Sequence, residues 1–357
     1  MPQENHFEQQ PRPHPARHWV QTLAIAGTTL LLLLIVAGLA CQWVATRIDN
    51  RRYPMPGILV DVDGHRMHLD CRGAGSPTVV MDAGLGDSSV TWALVQPEVA
   101  TFTRACSYDR PGYGWSDGAK VPRDSQAVAR QLHALLAAAA IPGPYLLVGH
   151  SFGGLNQLVF HSLYPSEVAG IVLVDSSHPD QLDRLPPDVS IEAAEASTRY
   201  HPLGAWLGLG RLLGWCRDDY TFPNVGAAWQ KIAPEAIAVD CRTAAFRATR
   251  DEELAFRLST REAGASGSLG ALPLVVLSHD PHVGIGFPPA EAAQGEAAWN
   301  QMQEELRGLS TNSRRVIARG SSHYVESYRP ELVITAIREV DDAARNGTSL
   351  AAPTTTQ

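Results

Sequence analysis

The sequence predicts an α/β fold in which a largely parallel β-sheet is covered by helices. Short apolar segments alternate with helical stretches along most of the chain, and this alternation is typical of parallel sheets. Hydrophobic residues make up 45% of the 357 residues, so the chain can bury a large core. An uncharged run of 28 residues precedes this region and predicts a separate membrane segment.

The first element is this uncharged run, residues 19–46. About 20 apolar residues span a bilayer as a helix, so the run is long enough to cross it with some tilt. Trp19 and Trp43 lie near its ends, where interfacial aromatic residues are enriched. A cleaved signal peptide is the alternative, but its apolar region usually has only about 7–15 residues. We therefore expect an N-terminal tail at 1–18 and a single-pass transmembrane helix at 19–46.

Charge is divided unevenly between this segment and the remainder of the chain. Residues 1–52 carry a net charge of +2 and residues 53–357 carry −10. Lys120 and Lys231 are the only lysines and the arginines are scattered, which argues against a nucleic-acid partner. Arginines flank the run on both sides, so the positive-inside rule does not fix its orientation.

Cysteine content gives a better indication of the compartment. Cys41 lies in the uncharged run, and the body contains four more: Cys71, Cys106, Cys216 and Cys241. An even number is compatible with two disulfides in an oxidising compartment, which favours an extracytoplasmic body. No C-x-x-C pair occurs, so neither a zinc site nor a thioredoxin-like redox motif is expected.

Eight apolar segments follow a linker at 47–56. Asp63-Gly64 joins the first two, and this dipeptide is a strong signal for a hairpin turn. The predicted strands are residues 57–62, 65–70, 78–81, 105–108, 145–148, 171–174, 274–277 and 315–318. Helical segments, for example residues 125–139, separate most of the remaining strands and indicate parallel pairing.

A G-x-S-x-G pattern, Gly149-His150-Ser151-Phe152-Gly153, lies between a predicted strand and a predicted helix. A serine on a tight strand-to-helix turn is exposed above the sheet edge, and the glycines remove side chains that would clash there. The N-terminus of the following helix offers free N–H groups and its dipole to a developing oxyanion. This pattern predicts that Ser151 is a nucleophile.

These features resemble the α/β-hydrolase fold superfamily, in particular its serine esterases and lipases, over about residues 55–342. Residues 82–87 (DAGLGD) and 108–116 (YDRPGYGWS) support the likeness. The resemblance implies a mostly parallel eight-stranded sheet flanked by helices, with its core at 57–178 and 271–342. It also implies a helical cap inserted at 179–270.

The resemblance extends to the catalytic residues. It implies an oxyanion hole made by the backbone N–H groups of Leu85 and Phe152. His323 matches the family's G-x-x-H segment after the last strand and would be the base. Asp175, at the end of the strand 171–174, is our preferred acid, and Asp280 is the alternative because it follows the next predicted strand. His150, beside the serine, is expected to be structural or to line the pocket.

The expected cap contains an apolar stretch at 203–215, either a lipid-touching or acyl-binding lid or a surface that packs on the core. An apolar lid on a tethered enzyme favours a hydrophobic ester as substrate. In the family's sheet the second strand lies beside the fourth, which implies a Cys71–Cys106 disulfide, and a Cys216–Cys241 disulfide would cross-link the cap. The polar segment 343–357 is expected to be disordered.

Together these observations predict a membrane-anchored serine hydrolase that cleaves carboxylic esters through a Ser-His-Asp triad and an acyl-enzyme. The mechanism requires no cofactor and no metal. Amide, thioester or C–C bond hydrolysis is the alternative within the same chemistry. A tethered, non-catalytic ligand-binding member of the fold is the alternative from another class. The serine excludes the aspartate-nucleophile chemistry of epoxide hydrolases and haloalkane dehalogenases.

Overall fold

The computed structural model describes residues 15–186, 198–218, 220–285, 287 and 289–350. An eight-stranded sheet forms its centre. The strands are β1 (Ile58–Val62), β2 (His65–Arg72), β3 (Thr78–Asp82), β4 (Ala105–Tyr108), β5 (Tyr145–His150), β6 (Val168–Val174), β7 (Leu274–Ser278) and β8 (Ser313–Ile317). Their order is β1-β2-β4-β3-β5-β6-β7-β8, with β2 antiparallel to β1 and β4 and the other pairs parallel. The predicted mostly parallel, eight-stranded sheet is confirmed.

Helices cover both faces of the sheet. The described α-helices are α1 (Pro15–Arg52), α2 (Gln96–Val99), α3 (Ser125–Ala138), α4 (Phe152–Leu163), α5 (Gln181–Arg184), α6 (His201–Trp206), α7 (Leu209–Leu212), α8 (Trp215–Asp218), α9 (Ala227–Asp240), α10 (Thr243–Gly264), α11 (Ala292–Arg307), α12 (Val325–Tyr328) and α13 (Pro330–Asn346). Buried residues such as Leu132, Leu155 and Leu306 form the core on one face. Trp92 and Ile337 belong to the core on the other face.

Helix α1 is longer than the predicted span. It is continuous from Pro15 to Arg52, so it includes six residues of the expected linker. No proline or glycine interrupts its last turns, and the side chains of Asp49 and Asn50 bond to the helices that follow β6. With a mean hydropathy of 2.5 over its most apolar part, it meets the requirements of a membrane anchor and equally those of a signal sequence. Residues 1–14 of the expected tail lie outside the described residues.

The C-terminal segment also differs from expectation. Helix α13 continues to Asn346, so the first residues of the segment expected to be disordered, 343–357, are helical. Ala343 is buried against the sheet, and Gly347 ends the helix in the left-handed conformation with φ of 60°. The N–H of Leu350 then donates to Asn312 Oδ1 at 2.8 Å. Burial on the apolar face of α13 explains the order, and residues 351–357 lie outside the described residues.

The chain between β6 and β7 was expected to form a cap. Its described parts contain helices α5 to α10, and residues 187–197 and 219 lie outside them. Helix α10 packs against α3 and α4, which attaches this region to the core. The carboxyl ends of the parallel strands β3, β5, β6, β7 and β8 lie at one edge of the sheet, where the predicted site residues follow them.

Candidate active site

Ser151 occupies the turn between β5 and α4. Its φ of 49° and ψ of −119° are strained for a residue with a side chain, and its N–H donates to Val174 O at 3.1 Å. The glycines of the motif are required by close backbone packing. A Cβ on Gly149 would lie 2.5 Å from Gly153 O, and one on Gly153 would lie 2.5 Å from Asp82 O. The turn therefore permits no larger residue at either glycine.

The structure brings His323 to Asp175. The Nδ1 atom of His323 lies 2.6 Å from Asp175 Oδ2. Asp175 directly follows β6, and its N–H donates to Leu277 O at 2.7 Å. Val174, the preceding residue, accepts the N–H of Ser151, so the serine and the His–Asp pair share one end of the sheet.

Asp280 has different partners. Its carboxylate accepts the backbone N–H groups of His282 at 3.1 Å and Gly320 at 2.9 Å. Arg319 Nη1 lies 3.6 Å from Asp280 Oδ1. These contacts join the loops after β7 and β8 and lower the pKa of Asp280 against the opposing effect of burial. Asp280 thus connects two loops, and its described bonds do not include His323.

A second histidine, which sequence reasoning missed, contacts the same carboxylate. His279 donates its backbone N–H to Asp175 Oδ1 at 3.0 Å, and its Nε2 lies 2.7 Å from Glu296 Oε2. Trp299 Nε1 donates to Asp175 Oδ1 at 3.0 Å. Burial lowers the pKa of His279, but the Asp175 and Glu296 carboxylates outweigh it and raise that pKa to about 10. Burial likewise raises the pKa of Asp175, but the charge and hydrogen bonds of the two histidines hold it well below its usual range.

The loop expected to supply an oxyanion donor is held by Arg110. This buried guanidinium donates to Ala83 O at 2.8 Å and Gly84 O at 2.7 Å. It also pairs with Asp82 at 2.7 Å and with Glu252 of α10 at 2.8 Å. The fork geometry of arginine suits this set of acceptors. Arg110 belongs to the segment 108–116, which supported the family resemblance in the sequence. Its role in holding the loop after β3 was not predicted.

The two predicted oxyanion donors lie at the start of this region and at the start of α4. Leu85 directly follows the carbonyls held by Arg110, and Phe152 directly follows Ser151. In residues 15–186 and the other described ranges, neither N–H donates to a protein acceptor. Both groups are thus available to an external oxygen.

His150 is buried beside the His–Asp pair. Its ring centroid lies 4.7 Å from that of His323 and 5.0 Å from that of Tyr324. Its Nδ1 lies 3.4 Å from Glu326 Oε1, also fully buried. Burial lowers the pKa of His150 and raises that of Glu326, so both side chains favour their neutral forms. This agrees with the expected structural or pocket-lining position.

A cavity of about 390 Å³ opens beside the Arg110-held loop. Its lining includes Leu85 and Tyr324 from the core and Trp215, Asp240 and Phe246 from the helices after β6. Within the described chain, Asp240 Oδ1 is buried without a hydrogen-bond partner. Burial raises the pKa of Asp240 to about 7 despite hydrogen bonds to its other oxygen. The cavity wall therefore combines apolar side chains with charged ones, and Asp240 is a titratable carboxyl in it.

Both expected cysteine pairs lie at disulfide distance. Cys71 and Cys106 are register partners on β2 and β4. Cys216 of α8 faces Cys241, directly after α9. Each pair joins segments that are separate in the chain.

One group of potential metal ligands occurs among the described residues. It consists of His178, Asp180 and Glu305. Glu305 and Asp180 are exposed, and Glu305 Oε2 already pairs with Arg184 at 2.5 Å. An exposed carboxylate neutralised in this way has no need of a metal ion for charge balance.

Comparison with known proteins agrees with the observed fold. Residues 77–200 match the family model described as alpha/beta hydrolase fold. An uncharacterized protein of Schizosaccharomyces pombe is 32% identical over 191 residues, which cover 44% of this chain and 36% of that relative. The uncharacterized protein YqjL of Bacillus subtilis is 25% identical over 284 residues, 79% of this chain and 91% of YqjL. A solved esterase from Thermogutta terrifontis has a TM-score of 0.59 at 20% identity, covering 80% of this chain and 98% of the esterase.

Proposed function

This chain has the α/β-hydrolase fold, and from that premise we propose that it is a membrane-anchored serine hydrolase that cleaves carboxylic esters. The observation that carries the proposal is the 2.6 Å contact between His323 Nδ1 and Asp175, at the same end of the sheet as the strained turn of Ser151. We assign Ser151 as nucleophile, His323 as base and Asp175 as acid.

The mechanism follows from this geometry. Asp175 fixes the tautomer of His323 that carries its proton on Nδ1, so that Nε2 is free to accept the proton of Ser151 Oγ. Oγ attacks the ester carbonyl carbon, and the N–H groups of Leu85 and Phe152 stabilise the oxyanion. The imidazolium then protonates the leaving alcohol, which leaves an acyl-enzyme. Water activated by His323 attacks the acyl carbon and releases the acid and Ser151.

The cap helices supply most of the cavity wall, so we assign substrate selection to residues 179–270. Trp215 and Phe246 give this wall its apolar character. This apolar part of the wall favours a hydrophobic acyl or alcohol group, because burial of that group removes apolar surface from water.

An active-site fluorophosphonate tests the proposal directly. The full chain in detergent should be labelled, and labelling should vanish in Ser151→Ala. A panel of p-nitrophenyl esters of rising chain length, with matched amide and thioester substrates, then identifies the bond that is cleaved. Wild-type protein that remains unlabelled would contradict the enzymatic function and favour a ligand-binding protein.

The membrane location rests on α1, and the compartment rests on the two cysteine pairs. Disulfides persist in oxidising compartments, so we place the body outside the cytoplasm. Alkaline carbonate extraction should leave the full-length chain in the membrane pellet. A shortened chain in the supernatant would instead identify α1 as a cleaved signal peptide. Thiol titration of unreduced, denatured protein should find Cys41 alone, and five thiols would contradict the assigned compartment.

A further inference from the structure

The apolar helix α1 does not stand apart from the hydrolase body but packs against its cap. Gly38 lies directly on the backbone of Leu207, and a Cβ on Gly38 would be 2.2 Å from Leu207 O. One turn later Gln42, a polar residue inside the uncharged run, is buried by the cap. Its Nε2 donates to Cys241 O and its Oε1 accepts from Arg211 Nε, both at 3.1 Å. Lipid tails offer no hydrogen-bond partners, and the cap therefore supplies the hydrogen bonds that Gln42 needs.

The contact continues to the end of the helix. Asp49 pairs with Arg211 at 2.7 Å, and Asn50 Oδ1 accepts from Arg242 at 2.8 Å. From Gly38 to Asn50 the helix rises about 18 Å, so the cap is fixed along three turns. A body held along such a length has a defined height relative to α1.

That height places part of the cap at the bilayer surface. The uncharged run of 28 residues is about 42 Å long as a helix, whereas the hydrocarbon core of a bilayer is about 30 Å thick. A hydrocarbon core centred on the run would end close to Gln42. Gly38 then lies about 6 Å inside the hydrocarbon, and the cap backbone that touches it at Leu207 lies inside the hydrocarbon as well.

The cap segment on both sides of Leu207 exposes an apolar surface. We name it the cap membrane face, and it consists of Leu203, Trp206, Leu209, Leu212 and Leu213, on both sides of Leu207 in α6 and α7. Leu212 is 79% exposed and Leu213 is 60% exposed. Trp206 also lines a groove of about 810 Å³ with Val36, Leu39 and Trp43 of α1. Tryptophan is enriched at the membrane–water interface, and an exposed apolar cluster of this kind is unfavourable in water.

We propose that the cap membrane face inserts into the same bilayer leaflet as the C-terminal half of α1. The proposal rests on the membrane anchoring proposed above and is independent of the bond that the enzyme cleaves. His201 and Trp215, immediately before and after this segment, line the substrate cavity. Insertion thus places a wall of the cavity at the lipid surface, and the substrate is an ester dissolved in the bilayer.

Spin-label accessibility tests the insertion. Single cysteines are introduced in a Cys41→Ser background. Each variant is labelled with a nitroxide and reconstituted in phosphatidylcholine vesicles. Leu212→Cys reports the cap membrane face and Leu33→Cys reports α1. Leu258→Cys is the matched control, since it is an exposed leucine on α10 about 22 Å along that helix from its first residue.

The expected result is that labels at positions 212 and 33 are relaxed by oxygen and protected from an aqueous nickel chelate, with position 258 showing the reverse. A nickel-accessible label at 212 with a protected label at 33 would overturn the insertion and leave the anchor intact. Nickel access at both positions would overturn the anchor and the insertion together. Fluorophosphonate labelling of each variant shows separately that the catalytic site is intact.

A charge variant tests the consequence for substrate access. The double variant Leu212→Asp/Leu213→Asp should lose about tenfold or more in kcat/KM toward a long-chain ester presented in vesicles, because charges replace two exposed leucines that insert into the bilayer. Its rate with water-soluble p-nitrophenyl acetate should match that of wild type. The control variant Leu258→Asp should match wild type with both the long-chain ester and p-nitrophenyl acetate. Equal losses with both substrates would overturn the proposed route from the membrane.

Discussion

The Nδ1 atom of His279 lies 3.0 Å from both carboxylate oxygens of Asp175. The proposed triad acid is therefore bonded to two histidines, of which one is the proposed base, His323, and the other pairs with Glu296 on α11. The second histidine carries a positive charge because two carboxylates raise its pKa to about 10. Its charge keeps Asp175 ionised, which is the state that can orient the imidazole of the proposed base, His323.

Asp175→Asn should reduce kcat by roughly 10⁴-fold, because an amide in place of the carboxylate stabilises the wrong tautomer of His323. The matched control is Asp280→Asn, which removes a loop contact and should retain most of the activity. Steady-state rates with p-nitrophenyl acetate measure both. A collapse in Asp280→Asn with an active Asp175→Asn would reverse the assignment of the acid.

His279→Gln should change the pH dependence of stability. A histidine whose pKa is raised by folding stabilises the protein fully below its unfolded pKa of about 6.5, and this stabilisation disappears as the pH rises through about 10. Wild type should therefore lose several degrees of Tm between pH 6.5 and 10, since about 1 kcal/mol shifts Tm by roughly 2–4 °C in a domain of this size. The variant should lack this decrease of Tm with pH. If scanning fluorimetry finds the same decrease in the variant as in wild type, His279 is neutral.

Asp240 should control the binding of charged substrates. With a pKa of about 7, its cavity carboxyl is neutral in acid and negative in base. KM for an ester with a free carboxylate should rise as the pH increases through 7, because like charges then meet in the cavity, and KM for a neutral ester should change less. Asp240→Asn should remove the difference between the two substrates. If KM for the carboxylate ester still rises with pH in Asp240→Asn, the proposed control by Asp240 is contradicted.

Arg110→Lys should weaken both catalysis and stability. Lysine cannot reproduce the fork that binds Ala83 O, Gly84 O and Glu252, so the oxyanion loop loses its support. We expect kcat to fall by about 10²-fold, as for loss of one oxyanion donor, together with a lower Tm. Arg66→Lys is the control, because its pair with Asp117 is exposed and solvent screens it. Equal changes of kcat and Tm in the two variants would contradict the proposed positioning role of Arg110.

The double variant Cys71→Ala/Cys106→Ala should reduce the free energy of unfolding. Closure of a 35-residue separation by a disulfide stabilises a protein by about 3–4 kcal/mol in the chain-entropy model. Guanidinium unfolding of the detergent-solubilised chain measures the loss, with Cys41→Ser as the control for an exposed free cysteine. Identical unfolding curves with and without reductant in wild type would show that the pair is not bonded.

Local patterns predicted the sheet well because each strand is a short apolar run with a turn signal beside it. The predicted 105–108 agrees with β4 as observed, and the predicted 171–174 begins three residues late because Val168 and Gly170 do not form an unbroken apolar run. The length of α1 was underestimated for a tertiary reason. Its last charged turn is held by Arg211 and Arg242, which are more than 150 residues away in the chain.

The sequence alone determined the strand-to-helix turn at Ser151, since the required glycines lie within two residues of Ser151 and their steric role is local. It also determined the apolar length of α1 and the strand pattern of an α/β fold. Only the tertiary structure decided which aspartate contacts His323. Pairing of Val174 with Leu277 places the end of β6 beside the start of the loop after β7, so His279 and His323 converge on Asp175. Such convergence depends on the register of strands that are a hundred residues apart, and no local pattern encodes it.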